Sequence, residues 1–213
     1  MAEDVTDAEL MREAGAEVPR FVKETALLAV VPSLLLGVGA VLDAWVSPLH
    51  SVAPAVVGIT KGIGWGLYFK LVMRGCGGVE KAGVATHVVL MTLAFVAVEY
   101  GDWAMLVPIV IWLLPISDYA GMYGESIDGA LGGVLDTVKA AAILWFGVMF
   151  VALLALVMLS LVLSLPMSLY STYAHREGAW LASLSGGILV GPLVHVVMVF
   201  RCRLFLAIHG DPA

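Results

Sequence analysis

Residues 140–165 read AAAILWFGVMFVALLALVMLSLVLSL, 26 successive positions without a charge. As a helix this stretch would be about 39 Å long, more than the ~30 Å hydrocarbon core of a bilayer. Inside that core the backbone has no water to bond, so the segment must satisfy its own N–H and C=O groups as a helix. The run occupies Lys139–Pro166, and similar runs flank it: Thr25–Val46, Val52–Met73, Gly83–Val98 and Ala104–Ile116 before, Ala179–Phe200 after. The chain of 213 residues is 61% hydrophobic and 13% charged, with a mean hydropathy of +1.00. A soluble chain of this length could not cover so much apolar surface, so the reading is an all-α polytopic membrane bundle of six transmembrane helices.

The basic residues test that count, because Lys and Arg collect on the cytoplasmic side. With the N-terminus inside, Arg12, Arg20, Lys23, Lys70, Arg74, Lys81, Lys139, Arg201 and Arg203 all fall inside. Arg176 alone falls outside, and Lys61 lies within a span. The bias holds only if all six runs cross, which places both termini in the cytosol. The fourth run is the short one, holding Pro108 and Pro115, and could tilt, continue to Tyr119 or form half of a re-entrant hairpin.

Residues 1–24 precede the bundle and carry Glu3, Asp4, Asp7, Glu9, Glu13, Glu17 and Glu24. No cleaved signal is expected from this acidic start. Thr6-Asp-Ala-Glu9 fits a helix capping box, and Leu10, Met11, Ala14 and Val18 mark one face of a helix expected to end near Pro19. The segment reads as an amphipathic cytosolic lead-in, residues 25–206 as the membrane domain, and 207–213 as a short tail. Within the 117–138 connection, Ile127, Leu131, Val134 and Val138 fall at helical spacing and predict an interfacial helix leading into the fifth span.

Net charge is −6, so nucleic-acid binding has no support. Cys76 and Cys202 are the two cysteines, too few for a disulfide framework, and both are expected as reduced packing residues. The histidines lack HxxxH or HExxH spacing, so neither a metal nor another cofactor is expected. Residues 125–136 resemble the acidic motif of CDP-alcohol phosphotransferases in part. Gly132-Gly133 stands where that family has Ala-Arg, and the later glycine and aspartates are missing, so no family is assigned.

Two groups of residues are candidates for function. Gly58, Gly62 and Gly66 in the second run, and Ser183, Gly187 and Gly191 in the sixth, form glycine-zipper stripes that let neighbouring backbones approach. Lys61, His87 and His195 are ionisable groups at membrane depth, costly unless they meet a partner, a ligand or water. His87 and His195 could share a proton-relay or ligand site, whereas Glu99 and Asp102 are expected at the wet outer interface. No catalytic residue is assigned.

The first functional reading is a membrane subunit or scaffold, contacting the lipid bilayer and other membrane subunits or a second copy. The alternative is a small-solute or ion transporter or channel using Lys61, His87 and His195. The third is a lipid-acting enzyme with Asp118, Glu125, Asp128 and Asp136 in a cytoplasmic cleft. The alanine- and glycine-rich composition points to a bacterial cytoplasmic (inner) membrane.

Overall fold

The computed structural model describes residues 6–45, 53–78, 84–173 and 179–210; the side chains of 40, 43–45, 53, 84, 102, 105 and 159–189 lie outside the described set. It is all-helical: α1 Asp7–Glu24, α2 Val30–Trp45, α3 Ala53–Gly75, α4 Val84–Tyr100, α5 Leu106–Leu113, α6 Ile116–Asp118, α7 Ile127–Tyr173 and α8 Ala179–His209. Three helical stretches are long and apolar enough to cross a membrane: Pro54–Gly75, Ile127–Met158 and Val190–His209. Two bent pairs raise the total to five, and Ala85–Tyr100 is a shorter apolar helix.

α1 begins with the capping box: Thr6 N–H donates to Glu9 Oε2 at 2.9 Å, and Glu9 N–H donates to Thr6 Oγ1 at 3.4 Å. The helix does not stop at Pro19 but runs on to Glu24. Pro19 and Gly15 are both exposed, while Ala14 is buried and Val18, Phe21 and Val22 pack on the core. That packing outweighs the one backbone bond the proline removes. A short 3-10 turn, Ala26–Ala29, then redirects the chain by 86° into α2, whose Pro32 falls in the first turn.

α3 and α4 form the most extensive helix pair. A Cβ on Gly58 would stand 2.5 Å from Val96 Cα, one on Gly62 would collide with the Thr92 backbone, and one on Gly66 would stand 3.1 Å from Val88 Cα. Each step of four along α3 is matched by a step of four back along α4, an antiparallel pair in constant register. In α8, Gly191 lies against the Ser33 backbone of α2, while the surroundings of Ser183 and Gly187 are outside the described residues.

The fourth apolar run is not one straight helix over 104–116. α5 ends at Leu113, and the α6 segment, continued by a π-helical turn at Tyr119–Tyr123, leaves it at 64°. Pro115 causes the break, because its ring lacks an N–H and clashes with the preceding turn. The fifth run lies in α7, which starts at Ile127, departs from helical geometry at Ala141 and continues past Pro166 to Tyr173. α8 extends the sixth run to His209, so the expected 207–213 tail begins as helix.

Several elements converge at one end of the bundle. Glu17 of α1 pairs with Arg203 of α8, and Arg203 Nη1 donates to Cys76 O at 3.4 Å beyond α3. Tyr123 Oη donates to Gly210 O at 2.7 Å. His209 Nε2 lies 2.9 Å from Thr137 Oγ1, and Tyr119 Oη lies 3.2 Å from His209 Nδ1. Thus α1, the end of α3, the 119–137 segment and the end of α8 share one end of the bundle.

Candidate functional site

The break between α5 and α6 sets the polar chemistry of the interior. Interrupting a helix frees carbonyls that hydrocarbon cannot satisfy. Arg201 Nη1 donates to Trp112 O at 2.6 Å, and Trp145 Nε1 donates to Leu113 O at 2.9 Å. His87 Nδ1 bonds Ser117 O at 2.9 Å, and Lys70 Nζ bonds Gly121 O at 2.5 Å. Four side chains from α8, α7, α4 and α3 therefore cap one broken segment.

Arg201 also binds Asp118 with two donors, Nε to Oδ1 at 2.8 Å and Nη2 to Oδ2 at 2.5 Å. Both side chains are almost fully buried, at 3% and 0% exposed. The guanidinium carbon lies 4.7 Å from the Trp112 ring and 5.3 Å from the Trp145 ring, within cation–π range. A planar fork matches a carboxylate while stacking on indole, which a lysine could not do. Sequence reading left Arg201 among the inner cations and Asp118 in an acidic cleft. The structure instead buries Asp118 against Arg201, while Glu125, Asp128 and Asp136 are exposed, so these four acids do not gather.

Lys61 meets Glu99 across the α3–α4 pair, Nζ to Oε1 at 2.6 Å, with the side chains 14% and 11% exposed. The expectation that Glu99 is wet is corrected. The antiparallel register sets Glu99 level with Ala55, so Lys61 lies about 9 Å further along α3. Helical side chains lean toward their own N-terminus. Lys61 therefore reaches toward the start of α3 and Glu99 toward the start of α4, and the two meet between. Gly39 of α2 makes room, since a Cβ there would stand 3.3 Å from Lys61 Cε.

His195 is fully buried and bonded on both nitrogens, to Tyr68 Oη at 2.9 Å and to Thr25 Oγ1 at 3.0 Å. Thr25 donates its hydroxyl hydrogen to Phe21 O at 2.6 Å, so it must accept from Nε2–H. Nδ1 then accepts from the Tyr68 hydroxyl, and a neutral imidazole is satisfied. This relay ties α1, α3 and α8 together. His87 and His195 have different hydrogen-bond partners, Ser117 O for the one and Thr25 and Tyr68 for the other. Neither Thr25 nor Tyr68 could be named from spacing, because they lie 170 and 127 positions from His195.

His87 is also fully buried, and a carbonyl can only accept, so its Nδ1 carries the hydrogen. Its Nε2 is then a lone-pair acceptor, and it has no hydrogen-bond partner among the described residues. His87, Ser117 and Arg201 line one end of a cleft of about 440 Å³ between α3, α4, α5, α7 and α8. The rest of the wall is hydrocarbon, aromatic and methionine side chains.

No family model matches the chain, and neither curated proteins nor solved structures offer a significant match. The geometry therefore carries the functional argument by itself. It supports an integral membrane helical protein.

Proposed function

We propose that this chain is a six-span membrane subunit or scaffold of a prokaryotic cytoplasmic membrane. The observation that carries this reading is that, among the described residues, most interior charged and polar side chains are bound to protein partners, His87 Nε2 excepted. Lys61 is taken by Glu99, Arg201 by Asp118 and Trp112 O, and His195 by Thr25 and Tyr68. Among the described residues, these groups line no polar path for a solute. The reading also draws on the outer surface: α7 exposes Ile143, Phe150, Val151, Leu154 and Met158, a broad apolar face for lipid or a neighbouring helix.

A carrier using Lys61, His87 and His195 is the second reading. It draws on the broken α5–α6 segment, since discontinuous helices form binding sites in many transporters. Here, however, Arg201, Trp145, His87 and Lys70 already hold the freed carbonyls. Native mass spectrometry from nanodiscs separates the two. The subunit reading expects a stoichiometric complex with a second copy or another membrane chain. A lone monomer that moves solute in proteoliposomes would overturn it.

Six crossings account for the shared inner end. If α1, residues 119–137 and residue 210 lie on one side, the bent α5–α6 segment must return the chain inward between Gly101 and Tyr123. Reporters near Glu125 and after Asp211 are then cytosolic, and reporters near Pro48, Gly101 and Arg176 are exported. An exported reporter at Glu125 would make the bent segment re-entrant.

A further inference from the structure

We propose that the cleft between α4, α5, α7 and α8 binds an uncharged single-chain amphiphile whose head donates a hydrogen bond to His87 Nε2. This goes beyond a scaffold role and does not depend on it. Three observations converge on the chemistry. The cleft has the volume of a small-molecule site, about 440 Å³. It runs from Val98 to His87 along α4, about 16 Å, which suits an elongated ligand. Its rim includes Val98, Ile109 and Val157, apolar residues exposed on the bundle surface, so a ligand enters from the bilayer and not from water.

The polar end fixes the head group. A buried acceptor left without a donor is costly in a protein interior. His87 Nε2 is such an acceptor, since Nδ1–H is spent on Ser117 O. A head bearing a hydroxyl supplies the missing hydrogen. An anionic head gains little from the neighbouring guanidinium, because Asp118 neutralises Arg201 with both oxygens. Nε2 is covered in the structure, and Met73, Met91 and Met198 line the same cleft as His87. Unbranched methionines adjust readily, so the head displaces them to reach His87. On the proposed topology the polar end lies at the inner end of α4, so the ligand would have the orientation of an inner-leaflet lipid, head inward and chain toward the bilayer centre.

The test uses the full chain in phosphatidylcholine nanodiscs and a diazirine-bearing hexadecanol as photoprobe. Its methyl ether and the corresponding carboxylate at alkaline pH serve as comparisons. The alcohol is expected to label cleft-lining peptides of α4, α5, α7 and α8 about tenfold more strongly than the ether, the worth of one good hydrogen bond. His87→Asn keeps a donor for Ser117 O but removes the Nε2 acceptor, and should bring alcohol labelling down to the ether level. Ala94→Phe fills the cleft and should abolish labelling by all three probes. Equal labelling by alcohol and ether, stronger labelling by the carboxylate, or labelling that survives Ala94→Phe would each overturn the proposal. The probe comparison and Ala94→Phe decide the matter even if His87→Asn fails to fold.

Discussion

Arg201 grips Asp118 with two hydrogen bonds and reaches past it to Trp112 O, so one guanidinium neutralises a buried carboxylate and caps a broken helix. Removing either partner strands the other charge where water cannot reach it. Arg201→Met or Asp118→Ala should each cost about 3–5 kcal/mol, and the double variant less than the sum of the two. Thermal melts in mild detergent measure this. Additive losses would mean that the two residues stabilise the bundle independently.

Lys61→Leu should insert normally but lose about 3 kcal/mol, because Glu99 is left as an unpaired charge at 11% exposure. Adding Glu99→Leu should restore most of the loss. Protease protection reports insertion and the detergent melt reports stability. If the double variant were no more stable than Lys61→Leu alone, the ion pair would not be the reason the lysine is tolerated.

The α3–α4 contact leaves no space for a side chain at Gly62, nor does the α2–α8 contact at Gly191. Gly62→Leu and Gly191→Leu should each destabilise by at least about 1–3 kcal/mol, since the helices must separate. Ala152→Leu in α7, which is only half-buried, should change the melt much less. Equal melts for all three would remove any special packing role for the glycines.

Glu9 accepts from both the backbone and the hydroxyl of Thr6, which holds its carboxyl below the ordinary glutamate value. A carboxylate with a lowered folded pKa stabilises at pH above its unfolded value, and that contribution is lost as pH falls through the folded value. The first turn of α1 should therefore fray on acidification, and faster exchange at the Leu10 amide would report it. Glu9→Gln should flatten that pH dependence. An acid response unchanged by Glu9→Gln would assign the fraying to other groups.

Patterns that repeat along the chain were legible without a structure. The uncharged run 140–165, the capping box at Thr6 and Glu9, and the four-residue spacing of Gly58, Gly62 and Gly66 each follow from local geometry. Of the face expected at Ile127, Leu131, Val134 and Val138, three residues are exposed, while Val134 packs on the core beside buried Ala130 and Thr137. Local patterns also misled. Pro19 reads as a helix stop, yet packing against α8 carries α1 through it. Glu99 reads as wet because it ends a hydrophobic run, although the facing helix holds a lysine that leans toward it.

The sequence by itself determined that this is a helical membrane protein and which stretches are apolar, because hydrocarbon solvation and helix periodicity act on neighbouring residues. Only the tertiary structure decided which polar groups meet. Arg201 finds Asp118 83 positions away, Lys61 finds Glu99 38 positions away, and His195 finds Thr25 170 positions away. In a low-dielectric interior each such group must be paired. Which partner it takes depends on helix register and on where Pro115 breaks the chain, and both are fixed by packing across the whole bundle.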